Sequence, residues 1–477
     1  MNKSKFITYF ALPLLSAVFI QLSLAPAELY PLAIIGFIPL LVSLERTRKI
    51  WQAVAVGLMV GFCYNVVGCY WVFTALKDFF YFSIIKSFIL FLVYALIGHL
   101  QYPIFAVAAK ITFRSKLPIY AQMLVLAFSF VFAEMISFNF FAETISFSLI
   151  KIPILTFLFR VLSYKVLTGT IVFINASIYF SVKRKEKYLF FIPTVTISLI
   201  GLGSVLYQMK LENKSLSNKY SLEVAIIQPN TSNEEKLQLA KIMEIQDSSF
   251  NKLMKMSNEA MQINNNIELI VWPETSYPSR FLNPLDVKGI ERKNSIVNFI
   301  HKYHTAIIFG LNEVESEGDY NEAILVQEDG KNIKIENYRK TVLALMGEYN
   351  PFSSGPRINL GNGPTLFHLK LKNGKTVNLI PSICYESMSR EFFNQAQALG
   401  KASAIIDIAN EAWFGRYGAP YSSLMVTKMR AVETGLPLIK SGNSGLSGVL
   451  LPDGSVLSKT EAYTSAIGIE KVIISVE

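Results

Sequence analysis

Leu379-Ile-Pro-Ser-Ile-Cys-Tyr-Glu386 is an apolar run that stops at a thiol and then a carboxylate. Its length and branched residues predict a buried strand ending in Cys384. A cysteine behind such a strand is usually a small buried hydrophobe. Two further stretches change that reading. Ile270-Val-Trp-Pro-Glu-Thr-Ser-Tyr-Pro278 is a second buried strand, stopped by Pro273, that presents Glu274 at its C-terminal edge. Tyr338-Arg-Lys-Thr-Val-Leu-Ala-Leu-Met-Gly-Glu-Tyr-Asn-Pro351 places Lys340 where the chain leaves a β-hairpin, with Glu348 in a Gly-containing turn eight residues on. Singly, the acid reads as a cap or loop residue and the lysine as a surface charge. Jointly they set a carboxylate, an amine and a thiol at strand ends.

Working outward, short β-type runs recur at Val224 to Gln228, Ile267 to Trp272, Ala306 to Gly310, Ala323 to Gln327, Val377 to Ile383, Ala404 to Ala409 and Gly448 to Leu451. Helical patterns lie between some of them, at Glu234 to Ile263, Val287 to Tyr303 and Pro420 to Glu433. Strands alternating with helices predict a layered α/β domain. Asp329-Gly330 and Asp453-Gly454 mark hairpin turns within it.

The first half of the chain is different. Across all 477 residues 52% are hydrophobic and only 17% charged, and mean hydropathy is +0.37, which excludes a disordered chain and argues against a wholly soluble one. A bilayer core of about 30 Å needs about 20 apolar helical residues. Seven runs qualify: Phe6 to Leu24, Tyr30 to Leu44, Ala53 to Leu76, Ser87 to Ala109, Leu117 to Ile136, Leu167 to Val182 and Tyr188 to Tyr207, the second and sixth being short. The expected organisation is a transmembrane helical bundle over 1–207, a linker over 208–220 and a catalytic domain over 221–477.

Net charge is +10, but its location removes nucleic acid as a partner. Through Tyr207 there are 17 Lys+Arg and 6 Asp+Glu, whereas from Gln208 onward 28 and 29 nearly cancel. The excess reports membrane orientation. Clusters at Lys3 and Lys5, at Arg46, Arg48 and Lys49, at Lys110, Arg114 and Lys116, and at Lys183 to Lys187 occupy alternate loops. With the N-terminus cytoplasmic, seven crossings put the second half on the outer side, the periplasm of a two-membrane bacterium. Inside the spans Asn65, His99, Gln101, Glu134 and Asn175 need partners, as helix–helix contacts or as the lining of a lipid-accessible cavity.

The three cysteines, Cys63, Cys69 and Cys384, are too scattered for a disulfide framework, and the four histidines show no metal-ligand spacing. No metal or cofactor is expected, and no histidine base is indicated.

The Glu274, Lys340 and Cys384 segments resemble the nitrilase (carbon-nitrogen hydrolase) superfamily. With a multi-span bundle in front, the chain resembles the membrane-anchored apolipoprotein N-acyltransferase family within it. The likeness extends to Gly68-Cys-Tyr-Trp71, Asn175, Tyr320-Asn-Glu-Ala323, Ala409-Asn-Glu-Ala-Trp-Phe-Gly415, Met429-Arg-Ala431 and the Pro437 to Gly445 stretch. The resemblance implies an αββα sandwich behind the bundle. It implies Glu274 as general base, Lys340 as oxyanion-stabilising cation and Cys384 as nucleophile, with Glu348, Tyr385 and Glu386 in support. It further implies a phospholipid acyl donor, a diacylglyceryl apolipoprotein acceptor and a multi-pass monomer in the bacterial inner membrane. The chain departs from the family pattern in four places. Leu343-Ala-Leu-Met-Gly-Glu348 lacks a proline, Glu411 stands where an Asp is usual, Ser423 where a His is, and Leu237 near the place of a Trp. A last span after Ile474 is not expected.

Two alternatives stay open on the residues alone. One keeps the thioester chemistry with another acceptor, a different membrane amine or the water of an amidase. The other is an inactive lipid-binding membrane scaffold, against which the joint presence of Glu274, Lys340 and Cys384 argues.

Overall fold

The computed structural model describes residues 3–476 except 138–142, 157, 190, 193–194, 197, 200, 204–205, 207–218, 233–242, 316–317, 346, 350–357 and 417. The expected linker and Leu237 therefore lie almost wholly or wholly outside the described residues. The chain divides into two compact units, Met1–Asn213 with Tyr417–Met429, and Lys214–Arg416 with Arg430–Glu477.

Among the described residues, the first unit contains five helical segments long and apolar enough to cross a membrane: Lys3–Ser23, Ile50–Gly68, Ile84–Arg114, Ile119–Ile136 and Tyr164–Arg184. They coincide with five of the seven expected spans. The sixth expected span becomes a helix of 21 residues. The seventh falls partly on residues outside those described. The second is broken into a 3-10 turn, Tyr30–Ile34, and a helix, Ile38–Arg46, each beginning beside a proline. A broken segment survives at membrane depth only where protein satisfies its backbone. Asn175 does this: its Nδ2 donates to Ala33 O (2.8 Å) and its Oδ1 accepts from Phe37 N (2.9 Å). Lys110 donates to the carbonyls of Leu44, Glu45 and Thr47, placing a cation at the carbonyl end of Ile38–Arg46. Asn65 Nδ2 donates to Ala95 O (3.1 Å). Asn65 and Asn175 thus serve helix packing. Gly57 matters for the same reason, since a Cβ there would lie 2.5 Å from Pro103 Cα.

The second unit is built on two six-stranded sheets, ordered β12-β1-β2-β3-β4-β5 and β11-β10-β9-β8-β7-β6. The first joins β1 (Lys219–Gln228), β2 (Leu269–Val271), β3 (Ala306–Glu315), β4 (Gly318–Asp329), β5 (Asn332–Arg339) and β12 (Ala466–Ser475). The second joins β6 (Phe367–Lys370), β7 (Thr376–Ile383), β8 (Ala404–Ala409), β9 (Leu438–Gly442), β10 (Gly448–Leu450) and β11 (Val456–Lys459). Each sheet has three parallel central strands with antiparallel flanks. The expected αββα architecture is present.

Among the described residues, α1 (Met243–Ile263), α2 (Val287–Tyr303) and α3 (Arg390–Ala398) lie in the unit of the sheets, and α4 (Ala419–Thr434) is divided between the two units. Asp286 caps α2 by accepting from Gly289 N (2.6 Å). Phe250, Leu253 and Ala260 of α1 and Ile296, Phe299 and Ile300 of α2 pack onto Ala225, Ile270, Ile307, Phe309 and Ile324. All six residues of β8 are buried, as expected of a central strand covered on both faces.

Candidate active site

β2 delivers the chain to Glu274. Trp272 locks the approach, its indole N–H donating to Ser257 Oγ (2.9 Å). Gly310 permits it: a Cβ there would lie 2.7 Å from Glu274 Cα. Glu274 is 5% exposed. Its Oε1 accepts from Asn321 Nδ2 (2.8 Å) and Lys340 Nζ (3.2 Å), and its Oε2 from the backbone N–H of Asn410 (2.8 Å).

Lys340 follows β5 directly, held by Lys340 N to Asn321 O (2.9 Å) and Gly361 N to Lys340 O (2.8 Å). Its ammonium bridges Glu274 and Glu348, lying 2.9 Å from Glu348 Oε1 and 2.8 Å from Oε2. Glu348 also accepts from Ala344 N (2.7 Å) and Asn321 Nδ2 (2.9 Å). Burial opposes the charge on Lys340, yet Glu274 and Glu348 hold it well above the usual lysine range. Burial likewise opposes the charge on Glu348, and Lys340 with the Ala344 N–H holds its carboxyl below the usual range.

Cys384 opens a 3-10 turn, Cys384–Met388, directly after β7, and its φ of 53° is in the left-handed region. That conformation is uncommon for a residue with a side chain and is tolerated where surroundings impose it. The imposing group is Glu386, fully buried. It accepts from Ile383 N (2.8 Å), Tyr338 OH (2.5 Å), Thr341 N (2.6 Å), Thr341 Oγ1 (3.0 Å) and Val342 N (3.2 Å). One carboxylate therefore ties the Cys384 turn to the segment that carries Lys340. Burial and then Glu274 push the Cys384 thiol well above its usual range, with Lys340 pulling the other way, so the thiol rests protonated. Tyr385 stands in the same turn, its hydroxyl raised chiefly by burial.

Glu274, Lys340, Glu348 and Cys384 thus share one electrostatic environment, with Glu386 supporting it. Sequence reasoning missed Asn321 and Asn410 as individual site residues, although both lie in the quoted Tyr320-Asn-Glu-Ala323 and Ala409-Asn-Glu runs. Among the described residues no group of His, Cys, Asp and Glu is arranged to hold a metal ion. The unit's histidines stand elsewhere, His301 and His304 on Glu328 and His368 on Glu336.

Residues 223–474 match the carbon-nitrogen hydrolase family, and the chain belongs to that family. Residues 16–177 match the apolipoprotein N-acyltransferase N-terminal domain. The apolipoprotein N-acyltransferase of Bdellovibrio bacteriovorus is 25% identical over 88% of this chain and 80% of its own. That of Brucella suis is 26% identical over 93% and 85%. Among solved structures, Saccharomyces cerevisiae Nit3, of the nitrilase superfamily, aligns with 18% identity and a TM-score of 0.39, covering 55% of this chain and 91% of that one.

Proposed function

We propose that this membrane protein is an N-acyltransferase that moves an acyl chain from a phospholipid, through a thioester on Cys384, to the N-terminal amine of a diacylglyceryl-cysteine apolipoprotein. The observation that carries the reading is the buried Lys340 ammonium shared by Glu274 and Glu348 in the environment of Cys384.

In this reading Glu274 takes the thiol proton as the sulfur attacks the ester carbonyl. Lys340 stabilises the oxyanion that forms. The carbon–oxygen bond breaks, the proton passes from Glu274 to the departing lysophospholipid alkoxide, and the thioester is left. The lipoprotein amine then attacks the thioester carbonyl. It loses its proton to Glu274, the carbon–sulfur bond breaks, and Cys384 regains a proton. The high resting position of the thiol favours deprotonation during attack over a standing thiolate. Glu348 and Asn321 orient Lys340 and Glu274, and Glu386 with Tyr385 shapes the nucleophile turn.

Bundle 1–207, linker 208–220 and catalytic domain 221–477 would place this chemistry beside a bilayer that supplies both substrates. The alternating basic clusters support a periplasmic site in a bacterial inner membrane. Mass spectrometry of lipoprotein N-termini from cells with and without the protein tests the function. The mature N-terminus should carry an amide-linked acyl chain only when the protein is present, and identical N-termini in both would overturn the reading.

A further inference from the structure

A second buried lysine lies in the same unit. Ser382 on β7, Asp407 on β8 and Lys440 on β9 are in-register partners across three parallel strands, so their side chains share one face of the sheet. Ser382 Oγ donates to Asp407 Oδ1 (3.0 Å), and Lys440 Nζ lies 2.9 Å from Asp407 Oδ2. The same ammonium is 3.1 Å from Glu411 Oε1, and all three charged side chains are at most 1% exposed. Glu411 fits only because Gly445 has no side chain, since a Cβ there would fall 1.7 Å from Glu411 Oε2.

The two carboxylates that Lys440 grips bracket Asn410, three residues after Asp407 and one before Glu411. Asn410 is the residue whose backbone N–H donates to Glu274 Oε2. Its side chain is also tied, accepting at Oδ1 from Asn443 Nδ2 (3.1 Å), and Asn443 N donates to Ala409 O (3.0 Å).

We propose that Lys440 is a positioning residue for catalysis, clamping the 407–411 segment at both ends so that the Asn410 amide holds Glu274 in the orientation that takes the Cys384 proton. The inference rests on the thioester mechanism above. It asks of Lys440 an ionic role that touches neither substrate nor thiol. Loss of aim at the base slows the chemical step and leaves phospholipid binding untouched, because no lipid contact changes.

The test is single-turnover acylation of the full-length chain in detergent by phospholipid, followed by intact mass across a range of pH. Lys440→Met is compared with the charge-balanced Asp407→Asn/Lys440→Met, which keeps the question answerable if the single variant does not fold. The maximal acylation rate should fall about 100-fold, the scale of a misplaced catalytic group. The concentration of phospholipid giving half that rate should not change, and the residual rate should keep climbing further into the alkaline range than the unaltered protein's. An unaltered maximal rate and pH profile in a folded variant would overturn the inference. A loss carried by the half-saturating concentration, or one parallel to the unaltered protein at every pH, would overturn it too, as the mark of general loosening. If the unaltered protein forms no acyl adduct on Cys384, the mechanism itself fails, a result distinct from either.

Discussion

Two lysines in the catalytic unit each sit between two carboxylates, and the difference lies in what else reaches those carboxylates. Lys340 is 1% exposed, but its partners Glu274 and Glu348 are 7% and 13% exposed at their side chains and sit on loops beyond strand ends. Lys440, Asp407 and Glu411 are 0%, 0% and 1% exposed, and Lys440 and Asp407 lie within strands. Burial opposes both ammonium charges, and neighbouring carboxylates raise both above the ordinary lysine range. The lesson is that one ionic motif serves two ends. In the reading proposed above, the more exposed of the two clusters takes part in the reaction and the fully buried one fixes geometry.

Substituting each lysine by methionine is the strongest way to break this comparison. Lys340→Met should lower acyl-enzyme formation by about 3 to 4 kcal/mol of transition-state stabilisation. Lys440→Met should instead show the larger loss in folding, about 3 to 5 kcal/mol, because it takes the countercharge from two buried carboxylates. Chemical denaturation read beside single-turnover rates decides the order, and a reversed ranking of the two stability losses would dissolve the distinction.

Within the proposed catalytic cluster, Glu274→Gln and Lys340→Met should part company at raised pH. Removing Glu274 takes away a charge that pushes the thiol up, so hydroxide can make the thiolate and acylation should recover in part. Nothing in solution replaces the Lys340 cation. Equal recovery in both variants would falsify the separate roles.

A smaller effect follows from Glu348. Its folded carboxyl is held below its ordinary range. The stability it contributes is therefore complete above the unfolded value of about 4.3 and is lost as pH falls through the lower folded value. Thermal unfolding of the unaltered protein should lose stability across that acid window, and Glu348→Gln should flatten the loss. An unchanged slope would show that Lys340 draws its charge partner from Glu274 alone. Smallest of all, Asp286→Ala removes the cap of α2, which hydrogen-bonds to neither lysine cluster. It should cost about 1 kcal/mol of stability with acylation unchanged, and a rate effect there would mean that the sites respond to any loosening.

Legibility in the sequence followed the same division. Strands dominated by apolar residues, such as Ala404 to Ala409 with Asp407 as its one charge, were readable to the residue. β9 was not, because Leu438-Ile-Lys-Ser-Gly442 is fully buried yet offers only two large apolar residues before Lys440, Ser441 and Gly442, too short a run to mark a strand. β12 mixes a half-buried glutamate and an exposed lysine with its apolar residues, as a half-covered edge does. Glu274, Lys340 and Cys384 could be read because each follows a recognisable strand. The Asn410 contact escaped because it is a backbone donor, and a backbone amide has no signature in side-chain identity. In the bundle, the break at 35–37 was hidden because hydropathy registers grease, whereas the two prolines and Asn175 decide where the helix yields.

The pairing of β1 with β12 has a consequence for biogenesis. Lys219 lies opposite Ser475 and Gln228 opposite Ala466, so the first and last strands of the catalytic unit are neighbours. The opening strand leaves the ribosome on the order of ten seconds or more before its partner, at ordinary rates of synthesis. Throughout that interval its hydrogen-bonding edge has no native occupant. Closure of the first sheet thus waits until β12 has been made, and until then the open edge of β1 is a template on which other strands can pair.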